Sequence, residues 1–272
     1  MTLPPSQAQG LIRANQKLNA SSQVCAGAYL CKEMDMKRTT LLLLLAASLL
    51  ISGLASASTL FYGGDFDPNN PNANGLANEN VAIVGGNPYG AATYQNFIIP
   101  VGQMWNITGL FSNNLSQLNP ATGYWEIRTG VSEGNGGTLL FSGTGAVTQT
   151  PTGRSGFGFT EFNDLVSGLN ITLGSGQYWF TVVPQDPTNP GRSFNSNTFG
   201  LNSVGTQTLN DQFWNSSFFG VNFTNANNGG VFPSFSDGVI GTIVNPTPEP
   251  SSLMLLGTGL FGFAMFVRRR VS

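Results

Sequence analysis

The sequence of 272 residues predicts an all-β protein whose main domain is an antiparallel, jelly-roll-like β-sandwich. Short runs of β-branched and aromatic residues alternate with polar residues, and clusters of Asn, Gly and Pro separate these runs. No stretch between residues 58 and 246 keeps a 3.6-residue apolar period over three turns. About 190 residues are enough to bury the core of one domain.

The alternation predicts strands in chain order at residues 94–99, 105–111, 124–129, 139–141, 157–159, 169–173 and 178–183. Trp125 and Ile127 should share one face of their strand, with Glu126 and Arg128 on the other. Turn signals separate the runs at residues 119–120, 135–137, 152–153, 174–176 and 189–191. Large side chains on both faces make 178–183 a central strand, whereas the Asn- and Phe-rich segment 195–228 predicts edge strands and long loops.

The charge of this domain is strongly acidic. Between residues 58 and 246 the cations are Arg128, Arg154 and Arg192, and there are ten carboxylates, so three minus ten gives −7. Binding to nucleic acid requires cations that neutralise phosphates, and nucleic acid is therefore excluded as an expected partner.

The absence of histidine from the whole chain argues against most catalytic sites. It removes Ser–His–Asp and Cys–His nucleophiles, histidine metal ligands and histidine bases together. No catalytic residue and no cofactor is expected. A glycosidase that uses two carboxylates stays open as an alternative, with Glu126, Glu133, Glu161 and Asp164 as the acids. The run 257–262 matches a dinucleotide fingerprint in letters only, because no βαβ unit can surround it.

Two binding sites are conceivable. Asp65, Asp67 and Asn69 alternate as the oxygen ligands of a calcium loop do, and such a site could clip the N-terminal segment onto the sandwich. The alternative is a loop built from Asx turns. Adjacent aromatic pairs place one ring outward on a strand, so Tyr124 and Trp214 are candidate glycan contacts in a glycan-binding module.

An internal segment has the layout of a secretory signal peptide. Met36-Lys37-Arg38 is basic, residues 41–50 are apolar, and Ala55-Ser56-Ala57 predicts cleavage before Ser58. We therefore expect residues 1–35 to be an unstructured upstream extension, with translation starting at Met34 or Met36, and 36–57 to be the signal. The alternative is a cytoplasmic tail with a signal anchor. Cys25 and Cys31 precede the signal, so the exported part, starting at Ser58, has no cysteine.

The last residues predict a membrane address. After Pro248-Glu249-Pro250, residues 251–267 carry no charge and approach the roughly 17–25 residues that a transmembrane helix needs. Arg268, Arg269 and Arg270 follow, and arginines are costly to move through lipid. The two prolines favour extended backbone just outside the membrane. A buried C-terminal helix of the domain is the alternative, but such a helix is normally amphipathic.

This tail, residues 247–272, resembles the PEP-CTERM sorting signal of Gram-negative bacteria. The resemblance rests on 248–253, 255–260 and 268–270, in matching order and spacing. It implies recognition by an exosortase, a membrane-embedded cysteine transpeptidase that cuts at or near Pro-Glu-Pro. The inner membrane would then be a transient partner on the way to the cell surface or medium.

Residues 97–183 are similar to β-sandwich passengers of bacterial surface proteins with interchangeable anchors. The similarity rests on Phe97, 107–110, 137–143, 169–173 and 177–180, and it brings no catalytic residue. We therefore interpret residues 58–246 as the passenger of an exported envelope or matrix protein. A structural or adhesive role with exopolysaccharide is expected, with the glycan-binding module and the glycosidase as alternatives.

Overall fold

The computed structural model describes residues 57–227 and 231–244, together with Gly257, Gly259 and Leu260. The predicted extension, most of the signal peptide, and the sorting motif and basic stop at 248–250 and 268–270 lie outside the described residues. Within the part of the chain that the structure describes, no helix has the length and apolar character needed to span a bilayer.

The described residues form thirteen strands. Their bounds are β1 (Ser58–Tyr62), β2 (Gly75–Ala77), β3 (Asn80–Val81), β4 (Ala92–Ile99), β5 (Met104–Ser116), β6 (Thr122–Thr129), β7 (Thr138–Gly156), β8 (Phe159–Leu173), β9 (Gly176–Asp186), β10 (Ser193–Ser196), β11 (Phe213–Ser216), β12 (Val221–Asn225) and β13 (Asp237–Val244).

These strands join in one open sheet, in the order β1-β13-β5-β8-β7-β6-β9-β4-β11-β12. β10 pairs with β2 and β5, and the short β3 runs parallel to β9. The neighbours along the main path are antiparallel, so the predicted all-β, antiparallel class is confirmed. The prediction of two separate sheets differs from the single hydrogen-bonded sheet that the structure shows.

The long strand β7 makes the sheet continuous. Its first half, 138–146, pairs with β6, and its second half, 147–156, pairs with β8. Core residues from both sides of this junction pack together: the ring of Phe61 in β1 lies 6.0 Å from Phe97 in β4 and 6.3 Å from Phe180 in β9. The sheet therefore folds over, and its main core lies between its two halves.

The outer face of β4, β6 and β9 is also buried, which explains their large side chains on both faces. Trp179 of β9 packs there with Tyr94, Phe213 and Phe223. The predicted central position of 178–183 is confirmed, since β9 lies between β6 and β4. β11 and β12 end the sheet, as the prediction of edge strands in 195–228 required.

The segment predicted as a strand at 157–159 is instead largely a turn. Phe157 and Gly158 have positive φ angles of 54° and 83° and connect β7 to β8 as a two-residue hairpin loop. The predicted turn at 152–153 lies inside β7, where the pairing with β8 shifts register between Pro151 and Ser155. Small polar residues dominate this half of β7, so its sequence has no strong apolar alternation.

Candidate functional site

The point where the tail leaves the domain is defined by β13. This strand ends at Val244, paired with Met104 at the start of β5, and Pro248 follows four residues later. Ser58, the first residue of β1, pairs with Gly241. Both predicted processing positions therefore adjoin the same end of the sheet, which we call the tail end.

The predicted signal cleavage site lies at the start of the ordered domain. Ala57 and Ser58 are exposed, whereas Leu60 and Phe61 are already buried in the core. Ala55 lies outside the described residues. A cut before Ser58 would thus leave the whole of β1 in the folded protein.

Each of the three arginines between residues 58 and 246 pairs with a buried glutamate. Arg128 contacts Glu126 at 2.6 Å, Arg154 contacts Glu161 at 2.5 Å, and Arg192 contacts Glu79 at 2.7 Å. The three carboxylates are at most 1% exposed. Removing one partner of such a pair leaves a charge buried without compensation, which is strongly destabilising.

Glu126 is the centre of a buried network of phenols. Tyr94 and Tyr124 donate hydrogen bonds to its two carboxylate oxygens, the latter at 2.8 Å, and Tyr89 lies 2.8 Å from the hydroxyl of Tyr94. Burial, then the charge of Glu126, raise the pKa of Tyr94 and Tyr124. The phenols therefore stay protonated and act as donors.

The expectation that Tyr124 is an exposed glycan contact is wrong. Its side chain is buried, 8% exposed, and packs 5.5 Å from the ring of Tyr89. Trp214 is half-buried, its indole N–H donates to the carbonyl of Ala77 at 3.0 Å, and its ring packs on Phe219. The outer face of the sheet is covered in this region, which sequence alternation along single strands could not reveal.

The predicted calcium loop is an arginine site and a series of Asx turns. Asp65 accepts from Arg154 at 2.6 Å and from Asn202 at 2.7 Å, and Asp67 accepts from the backbone N–H of Asn69 at 2.9 Å. Burial would raise the pKa of Asp65, but hydrogen bonds from Asn202 and Tyr62 and the charge of Arg154 lower it.

A guanidinium at this carboxylate replaces the metal that the sequence pattern indicated. Among the described residues, no group of three or more Cys, Asp or Glu side chains is arranged to hold a metal ion. The Asp65–Arg154 pair joins the segment after β1 to β7.

Two further carboxylates are buried without an ion-pair partner in the described residues. Asp164 of β8 accepts from Asn114 and Gln149, each at 2.9 Å, and Asp237 of β13 accepts from Asn195 at 2.9 Å. Burial raises the pKa of Asp164 to about 7 and that of Asp237 well above its usual value. Sequence analysis did not single out Asp237, which lies in no recognisable motif.

The four acids of the glycosidase alternative lie in different surroundings. Glu126 and Glu161 face separate arginines, Asp164 is enclosed by amides, and Glu133 accepts from the backbone N–H of Asn225 in an exposed loop. No two of them share a hydrogen-bond partner in the described residues. Each of the four acids therefore binds its own neighbouring groups, and the structure does not bring the acids together as a pair.

An aromatic cleft lies beside the β7–β8 hairpin. It encloses about 200 Å³ and is lined by Asn74, Gly75, Leu115, Phe157, Phe159 and Phe194. Phe157 is 65% exposed, although its left-handed backbone is unfavourable for a bulky residue. Sequence reasoning missed this cleft because it assigned Phe157 to a strand; the dipeptide Phe157-Gly158 was the signal for a turn.

Among the described residues, those between 57 and 244 form an all-β domain, and the sorting segment follows its last strand in the sequence. Residues 246–270 match the family model of the PEP-CTERM protein-sorting motif. The prediction of this sorting signal is therefore confirmed, and the match supports exosortase-dependent sorting of an exported protein. The comparison with curated proteins gave no match for the chain. The similarity of 97–183 to surface-protein passengers stays a prediction.

Proposed function

We propose that this protein is a non-catalytic structural or adhesive component of the bacterial cell envelope or extracellular matrix, associated with exopolysaccharide. The passenger, 58–246, is the exported domain. The C-terminal segment holds it at the inner membrane until an exosortase processes it at Pro248-Glu249-Pro250.

The observation that carries this proposal is the sorting motif at 246–270, which begins two residues after β13 ends. The distribution of charge adds support. Three buried glutamates neutralise the three arginines of the passenger, and the aspartates Asp164 and Asp237 are enclosed by amides. Charged groups used in this way stabilise a rigid domain and do not converge on a cleft.

The sorting step is tested by Glu249→Ala in a host with the matching exosortase. The single carboxylate of the motif should be needed for recognition, so the variant is expected to stay folded and membrane-bound, at full length. Thr247→Ala, one residue before Pro248, is the matched control and should be processed normally. Cell fractionation with a tag on the passenger measures both. Release of the Glu249→Ala protein at its normal processed length would overturn the proposal.

The basic stop has a separate expected effect. Replacing Arg268, Arg269 and Arg270 by Ser removes side chains that each cost about 2.5–3.5 kcal/mol at the bilayer centre on insertion scales. The uncut precursor should then pass the membrane and appear outside the cell. If it stays in the membrane fraction like the unaltered protein, the arginines are not the stop.

The glycosidase alternative is tested by activity on a glycan panel. Glu126→Gln, Glu133→Gln, Glu161→Gln and Asp164→Asn each remove one acid. Activity that disappears with one of these changes, while the variant stays folded by circular dichroism, would replace the structural role by an enzymatic one.

The aromatic cleft favours glycan binding as a second candidate function. Phe157 keeps an exposed ring at a backbone conformation that costs free energy, and strained residues concentrate at functional sites. Asn74 lines the cleft together with Phe157, Phe159 and Phe194. Rings with a neighbouring amide suit the apolar face and hydroxyl groups of a sugar.

Binding of the bacterium's own exopolysaccharide to the purified protein tests this candidate. Phe157→Ala should weaken binding at least tenfold, because it removes the most exposed ring of the cleft. Phe218→Ala is the matched control, since Phe218 is 54% exposed but lies in the β11–β12 turn. Equal binding by both variants would exclude the cleft as the sugar site.

A further inference from the structure

The tail end of the sheet exposes a group of apolar side chains. Val101, in the turn between β4 and β5, is 96% exposed, and Met104, Ile243 and Val244 are 37%, 48% and 38% exposed. Val244 pairs with Met104, and Val101 precedes Met104 in a turn closed by a hydrogen bond from the N–H of Gln103 to the carbonyl of Pro100. We call Val101, Met104, Ile243 and Val244 the apolar corner.

The strand segments around the apolar corner carry no charge of their own, and the carboxylate of Asp211 reaches them at Gln177, from which it accepts at 2.7 Å. The segments 97–111, 167–178 and 238–244, which supply β5, the ends of β8 and β13 and the adjacent turns, contain no Asp, Glu, Lys or Arg. The carboxylates of Asp65, Asp67 and Glu161 lie toward the opposite end, where β1 finishes and β8 begins. An acidic domain is repelled by anionic lipid headgroups, and the uncharged strand segments of the tail end reduce this repulsion.

The length of the connection keeps the apolar corner close to the sorting segment. The apolar run begins at Ser251, seven residues after Val244, and an extended chain spans at most about 3.3–3.6 Å per residue, or roughly 25 Å here. When the apolar run after Pro250 is inserted, the tail end must therefore stay near the bilayer surface. Ser58 lies at the same end, so the predicted signal peptide would leave from this side too.

We propose that the apolar corner contacts the lipid surface of the membrane while the tail anchors the protein, so that the domain stands on its tail end before it is released. The inference rests on the sorting function proposed above. Lipid is the favoured partner because Val101 is 96% exposed in a turn, where its side chain can enter a headgroup layer, and because the apolar run of the tail inserts into the bilayer beside it. The opposite end, with its carboxylates, then faces away from the membrane.

The test uses the full chain with Cys25→Ser and Cys31→Ser, reconstituted into vesicles of phosphatidylethanolamine and phosphatidylglycerol. One variant carries Val101→Cys, labelled with an environment-sensitive fluorophore, and the matched control carries Asn69→Cys at the opposite end. The vesicles contain a lipid with a quencher on its headgroup. Flotation of the vesicles first measures whether the protein is anchored at all.

The expected result is strong quenching and a blue-shifted emission of the label at 101, with neither at 69. Absence of flotation would overturn the anchoring function and with it this inference. Flotation with equal, weak quenching at both positions would overturn the lipid contact alone. If the emission of the label at 101 shifts to the blue only after an exosortase is added, the apolar corner contacts a protein partner, and the lipid contact is overturned.

Discussion

Replacing the buried Asp164 by Asn should change how the stability of this protein depends on pH. Asp164 lies on β8 opposite Ser112 of β5 and Gln149 of β7, and its oxygens accept hydrogen bonds from the amides of Asn114 and Gln149. Burial removes water from the charged form and raises the pKa of this carboxyl to about 7, while the two amide hydrogen bonds lower it and offset only part of that effect.

The sign follows from proton binding. Between the unfolded pKa of 3.8 and the folded pKa of about 7, the folded protein keeps a proton that the unfolded chain has released. The free energy of unfolding therefore falls as pH rises through this window. A shift of roughly three pKa units corresponds to about 4 kcal/mol between the acidic and the alkaline limit. Asn has no proton to lose, so Asp164→Asn should escape this loss.

Urea denaturation at pH steps between about 4 and 8 measures the effect, with fluorescence of the four tryptophans as the signal. The difference in unfolding free energy between Asp164→Asn and the unaltered protein should shift by about 4 kcal/mol in favour of the variant as pH rises. Asp237 titrates in both proteins, so its contribution cancels in the difference between their unfolding free energies. Thr148→Ser, an exposed change on β7, is the control and should show a constant difference. A constant difference for Asp164→Asn as well would refute the placement of this carboxyl in the core.

Three other perturbations test the packing. Arg154→Met leaves the carboxylate of Glu161 buried without its cation and should cost about 3 kcal/mol of unfolding free energy. The double variant Arg154→Met/Glu161→Gln should regain most of this loss. An unchanged urea midpoint for the single variant would contradict the ion pair. Phe97→Ala should lower the free energy of unfolding by about 3–5 kcal/mol, because this fully buried ring packs on Trp105 and Tyr178. A loss below about 1 kcal/mol in thermal denaturation would exclude its core position. Phe157→Asn should stabilise the protein by about 1 kcal/mol, since Asn tolerates the left-handed conformation of this turn; a destabilised variant in urea denaturation would show that the ring supports the fold.

The sequence alone determined where several strands occur and where the tail leads. In β6, Trp125 and Ile127 alternate with Glu126 and Arg128, and this pattern requires two different faces in any sheet. The sorting motif was equally readable, because it is a linear signal whose parts are recognised by order and spacing. Such features depend on neighbours along the chain, which the sequence contains directly.

The tertiary structure decided what covers each face and which charges meet. Tyr124 was expected to be exposed, but Tyr89 packs against it from a loop before β4. Asp65 finds Arg154 across 89 positions of sequence, and Arg192 finds Glu79 across 113. These contacts arise only when the sheet folds over and sets its register, because alternation specifies that a residue faces a given side of its strand and not what lies on that side.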